Sequence, residues 1–81
     1  MLTNEEARHN ISVNLRRMLQ SRGWSQQQLA DRCDVLQVNI SRILGENRLP
    51  RIDVLARIAE ALETSVDLLL SPPRETATNR S

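Results

Sequence analysis

The chain contains no lysine, no tyrosine and no phenylalanine, and its 81 residues include one cysteine, one histidine and one tryptophan. A single cysteine cannot close an internal disulfide, so no covalent staple holds the fold. With Trp24 as the sole aromatic, the core must be built from Leu, Ile, Val, Ala and Met. One His, one Cys and no paired acidic cluster leave no catalytic constellation. Catalytic residues, metal ligands and cofactors are therefore not expected. Only two glycines interrupt a helical periodicity that runs throughout, which predicts an all-α domain. No apolar run reaches the roughly 18 residues a membrane-spanning helix needs. The opening MLTNEEARHN lacks the basic-then-apolar layout of a signal peptide, so a reducing cytoplasm is the expected setting. The length fits one domain with a modest core.

Formal net charge is +1, which by itself announces no nucleic-acid partner, but the distribution is uneven. Residues 16–32 carry Arg16, Arg17, Arg22 and Arg32 against Asp31. Residues 35–51 carry Arg42, Arg48 and Arg51 against Glu46, whereas residues 52–70 set Arg57 against Asp53, Glu60, Glu63 and Asp67. Positive charge thus collects in the middle of the chain and negative charge after it. This polarity suits one face on phosphates and the other end on protein or solvent. All 11 basic residues are Arg, a side chain matched to phosphate and guanine geometry. A GC-rich genome would produce the same bias.

Thr3 and Glu6 form a capping-box pattern that starts a first helix near Asn4, although its first turns can also be read as an arm. Ala7, Ile11, Leu15, Met18 and Leu19 share one face, and Gly23 is its predicted stop. His9 lies off that stripe and reads as a solvated surface residue. Arg16 and Arg17 read equally as phosphate contacts or as a solvated face. Trp24 precedes the cap Ser25 and reads as a hydrophobic staple on the next helix. Base stacking would want a second aromatic, and none exists.

Residues 25–44, SQQQLADRCDVLQVNISRIL, read as two short helices joined by a tight turn. Ser25 with Gln28 is a second capping box, and Leu29, Ala30 and Cys33 then share a face. Cys33 in that apolar slot behaves as a small buried hydrophobe. After the turn at Asp34, Ile40, Ile43 and Leu44 make an apolar stripe on a helix whose other side carries Gln37, Val38, Asn39 and Arg42. Those are the residue types that read base edges: amides for adenine, guanidinium for guanine, aliphatic groups for the thymine methyl.

The segment resembles the helix-turn-helix of the Cro and phage-repressor (XRE) family over roughly Asn14 to Leu70. Leu29, Ala30 and Cys33 match the family's apolar–Ala–apolar pattern before the turn, and Val35, Ile40 and Ile43 match its apolar positions after it. The later PRIDVLARIAEALETSVDLLL follows the family's continuation at the right spacing. The resemblance implies an all-α, lambda-repressor-like bundle of five short helices around a central helix-turn-helix. It divides the chain into an arm or first-helix start over 1–13, a DNA-binding domain over 14–70 and a flexible tail over 71–81. It further implies a recognition helix in the major groove of double-stranded DNA. Expected base contacts are Gln37, Val38, Asn39 and Arg42. Expected backbone contacts are Ser25, Gln26, Gln27, Ser41, Asn47 and Arg48. A Gln at the position of Gln26 fixes both the backbone and the first recognition residue in the family.

The chain departs from the family at several points. Asp34 stands where the family has Gly, in a turn that needs positive φ, which Asp tolerates at modest cost. Leu36 stands where the family caps the recognition helix with Ser or Thr, and Leu cannot cap unless Asp34 reaches forward. Leu19 and Leu44 occupy positions where many members pair Arg with Glu, so an apolar contact between them is expected to tie the first helix to the third. Gly45 is the predicted end of the recognition helix, one position before the family's usual Gly, where Glu46 stands. Pro50 is read as the start of a fourth helix with Leu55, Ile58, Ala59 and Leu62 inward. Arg51 replaces its usual cap. Thr64-Ser65 caps a last helix whose Leu68, Leu69 and Leu70, with part of the fourth helix, are the candidate homodimer surface. A short terminal helix packed wholly on the core is the competing reading.

A transcriptional regulator, as a Cro-like repressor, an antitoxin with a toxin partner or a restriction–modification controller, is the function this implies. A protein-interaction module is the alternative. It predicts apolar residues on the exposed recognition face, where only Val38 is expected.

Overall fold

In a computed structural model that describes residues 2–73, five helices form one layer-free bundle, with no strand among the described residues. They are α1 (Asn4–Arg22), α2 (Gln26–Cys33), α3 (Gln37–Leu44), α4 (Ile52–Ala61) and α5 (Val66–Leu70). The tail expected over 71–81 falls, from Arg74 onward, outside the described residues.

Three helices start as hydroxyl caps dictate. Thr3 Oγ1 accepts from the Glu6 amide at 3.0 Å while Glu6 Oε1 accepts from the Thr3 amide at 2.9 Å. Ser25 and Gln28 repeat that reciprocal pair, and Ser65 caps α5 through the Leu68 amide. The first helix is continuous from Asn4, and Ala7, Asn10, Ile11 and Ser12 within the 1–13 stretch are buried. By contrast, α3 and α4 start on Leu36 and Arg51, neither of which makes a side-chain cap. Asp34 does not reach forward to supply one. Pro50 does not open α4: it stands two residues ahead of Ile52, with Arg51 as the extended cap residue between them. The fixed φ of Pro50 therefore shapes the loop rather than the first turn.

Four helices end the same way. After α1 the Gly23 amide bonds Gln20 O and the Trp24 amide bonds Leu19 O, the paired pattern of a Schellman motif with Gly23 left-handed at φ 69°. Asp34 (φ 59°), Glu46 (φ 61°) and Glu63 (φ 55°) hold the equivalent place after α2, α3 and α4. The turn at Asp34 is thus closed in the left-handed region, as its place in the motif requires. Gly45 follows the last residue of α3, as expected, but lies at φ −83° and does not use its freedom. The handedness changes one residue later, at Glu46.

Ile11, Leu15, Leu29, Ile40, Ile58, Leu62 and Leu69 are completely buried and join all five helices in one core. Leu19, Cys33 and Leu44 belong to the same buried cluster. Trp24 packs on it from outside, with the Arg32 guanidinium 4.2 Å and that of Arg22 5.8 Å from its ring centre. Burial pushes the Cys33 thiol above its ordinary value, and the nearby Arg57 charge partly opposes this.

The polar side of α1 supplies what the ends of three other helices lack. Ser12 Oγ donates to Leu44 O at 2.6 Å, and Arg16 Nη2 donates to the same carbonyl at 3.0 Å. Arg22 Nη2 donates to Leu62 O at 2.6 Å. Asn10 Nδ2 donates to Leu70 O at 2.9 Å, and Asn14 Nδ2 lies 2.8 Å from both Leu69 O and Ser71 O. Carbonyls in the last turn of a helix have no partner within it, and side chains on a neighbour are one way to satisfy them. Arg16, read from sequence as a phosphate contact or a solvated residue, is exposed and also holds the end of α3. His9, also read as solvated, places Nδ1 3.3 Å from Glu46 Oε2 in an exposed pair beside that end.

Candidate nucleic-acid interface

Helix α3 is seated by Ile40, Ile43 and Leu44, all buried, and presents Gln37, Val38, Ser41 and Arg42 to solvent. The 3.6-residue period produces this division directly, because 40, 43 and 44 share one face. Its start is fixed by polar contacts to the preceding helix. Gln26 Oε1, at the first turn of α2, accepts from Gln37 Nε2 at 3.0 Å and from Ser41 Oγ at 2.7 Å. Gln37 Nε2 also lies 3.3 Å from Ser41 Oγ. Two glutamines and a serine thus lock one another. Such mutual restraint lowers the side-chain entropy lost when the same groups meet a ligand.

The other expected residues are placed around this network. Ser25 is exposed and uses its hydroxyl oxygen to cap α2. Gln27 Nε2 donates to Asp31 Oδ1 at 2.8 Å, so its amide is engaged along its own helix. Asn39 is half-buried and lines a cleft with Ile43, Arg48, Pro50, Arg51 and Val54. Asn47 and Arg48 are exposed on the loop after α3. Neither Arg42 nor Arg48 has an acidic partner among the described residues, whereas Arg51 lies 3.6 Å from Asp53. The unpaired guanidiniums are free to meet phosphate or base.

Two expectations are corrected. Leu69 cannot belong to a subunit contact: it is 0% exposed, because its short helix turns it into the core beneath Asn14. Leu68 points outward at 57%, and Leu70 is half-buried against the core. Nor is Val38 the lone apolar residue of the exposed recognition face. Leu36 at the cap position is 70% exposed, more than Val38 at 45%. The role of Arg16 also escaped the sequence, since its partner lies 28 positions away and no local spacing signals it. The polar triplet Asn10, Ser12 and Asn14 flanking a buried stripe is the one hint the sequence offers.

No cluster of His, Cys, Asp or Glu among the described residues could hold a metal ion, and no helix there is long and apolar enough to cross a membrane.

A short helix turned through a left-handed residue onto a second, polar-faced helix defines a helix-turn-helix DNA-binding domain. The chain belongs to the helix-turn-helix family (HTH_3), whose model matches residues 15–69 and whose members include the Cro and phage-repressor type. It is also similar to the solved structure of a hypothetical transcription factor, NHTF, from Neisseria. The two share 27% identity at a TM-score of 0.80, over 95% of this chain and 90% of that one. No curated protein matches the chain.

Proposed function

We propose that this protein is a transcriptional regulator that binds double-stranded DNA by sequence, as a homodimer on a palindromic operator, in the cytoplasm. The observation that carries the reading is the Gln26–Gln37–Ser41 network, which fixes the N-terminal end of α3 in register with the N-terminus of α2. In helix-turn-helix docking that end of the recognition helix enters the major groove. Gln37, Val38, Asn39 and Arg42 are assigned to base edges. Ser25, Gln26, Gln27, Ser41, Asn47 and Arg48 are assigned to the phosphate backbone. One domain spans only a short half-site, so a two-fold partner supplies the second. Leu68, with the edge of Leu70, is the surface assigned to that partner.

Enrichment of bound duplexes from a random pool tests the reading, followed by titrations at several salt concentrations. A single enriched motif with inverted half-sites about one helical turn apart is the expected result. Arg42→Ala should cost about 1–3 kcal/mol and relax preference at one base pair. Arg48→Ala should weaken all duplexes alike and flatten the salt dependence by roughly one unit. A protein that enriches no duplex at low ionic strength, or two variants indistinguishable on every sequence, would overturn it.

A further inference from the structure

Leu36 accepts from the Asn39 amide through its carbonyl at 3.0 Å, but its side chain neither packs inward nor caps the helix. It stands at the cap of α3 in extended conformation (φ −73°, ψ 142°), makes no cap hydrogen bond and is 70% exposed. A serine or threonine there would bond an amide of the first turn. Leucine forgoes that bond and leaves a large apolar side chain in water. Its chain neighbour Gln37 is held by Gln26 and Ser41, so Leu36 is carried on a fixed end of the helix. Val38, two residues on, is also exposed, at 45%. In a duplex major groove, the apolar feature such a side chain can meet is the C5 methyl of thymine.

We propose that Leu36 is a specificity-determining residue that packs on a thymine methyl at the edge of the half-site. This rests on the DNA-binding reading above and adds to it a residue outside the helix proper. The alternative use of the same exposed leucine, contact with a partner protein, predicts no sensitivity to a base methyl.

The test uses the enriched duplex and derivatives in which each thymine in turn is replaced by deoxyuridine, which differs only by that methyl. Wild-type protein should bind about fourfold more weakly when the one critical methyl is removed, the value of one buried methyl-sized group. Leu36→Ser and Leu36→Ala should bind the thymine and uridine duplexes equally at that position. Both should keep the wild-type response at every other position, including any methyl read by Val38. Leu36→Ser also regains a hydroxyl cap, so loss of folding does not confound the comparison. An enriched motif without thymine, a wild-type protein indifferent to every replacement, or variants that keep full discrimination would each overturn the proposal while leaving DNA binding intact. Failure to enrich any duplex would instead refute the reading on which it rests.

Discussion

The carbonyl of Leu44 receives two donors from α1, Ser12 Oγ and Arg16 Nη2, and this arrangement can be taken apart one donor at a time. Ser12 is 2% exposed, so Ser12→Ala removes a hydrogen bond out of reach of water and should cost about 1 kcal/mol. Arg16→Ala should cost a similar amount, about 1 kcal/mol, because its exposed guanidinium is screened while the carbonyl keeps Ser12. Removing both leaves a helix-end carbonyl with no partner and adds about 1 kcal/mol of desolvation penalty to the two losses. The double variant should therefore be destabilised by about 3 kcal/mol rather than about 2, a coupling of the size expected for residues sharing one acceptor. In a domain of this size each kcal/mol lowers Tm by roughly 4–8 °C. Thermal and urea unfolding followed by far-ultraviolet circular dichroism would read the whole cycle. Strict additivity would refute the shared-acceptor account. So would an Arg16→Ala protein of unchanged stability whose DNA binding loses one unit of salt dependence, since that is the signature of a phosphate contact.

Further expectations concern the left-handed turns and the single thiol. Glu63→Gly should raise stability by about 0.5–1 kcal/mol, because the strain of a side chain in the left-handed region exceeds the entropy that glycine adds to the unfolded chain. Glu46→Gly should gain less, since it also removes the partner of His9; equal gains measured by urea unfolding would count against that pair. Burial holds the Cys33 thiol above its ordinary value of 9.0, so the folded chain keeps a proton that the unfolded chain releases. Stability should be unaffected by this group below about pH 9 and fall as pH rises above it. With no lysine or tyrosine present, no other side chain titrates in that window. The urea midpoint should fall as pH rises above about 9 in the native chain and stay level in Cys33→Ala; parallel curves would contradict it.

Features encoded by neighbours three or four positions apart were legible in the sequence. The capping boxes at Thr3 and Ser25, the buried stripe of α1 and the seating of α3 on Ile40 and Ile43 all follow from short-range spacing. The place of Asp34 in the turn was legible for a different reason, the resemblance to a known motif. What stayed hidden depends on contacts between distant residues or on the sidedness of very short elements. The bonds of Arg16 and Ser12 to Leu44 left no local signal because their acceptor belongs to another helix. In α5, four apolar residues in a helix of five leave no period from which to tell inward Leu69 from outward Leu68. The end of α3 at Gly45 was legible, but composition gave no sign that the left-handed residue after it would be Glu46.

One long rod, α1, terminates the polar ladders of the segments that follow: Leu44, Leu62 and Leu69 to Ser71 all hand their last free oxygens to it. The helix-turn-helix pair α2 and α3 is consequently not a cassette that could be lifted out and transplanted. A fragment beginning at Trp24 would retain every group assigned to the duplex yet leave three helix ends open to fraying. Shortening the amino terminus past Arg16, which removes Asn10, Ser12, Asn14 and Arg16 together, should therefore loosen α3 and α5 without touching a single residue assigned to the duplex.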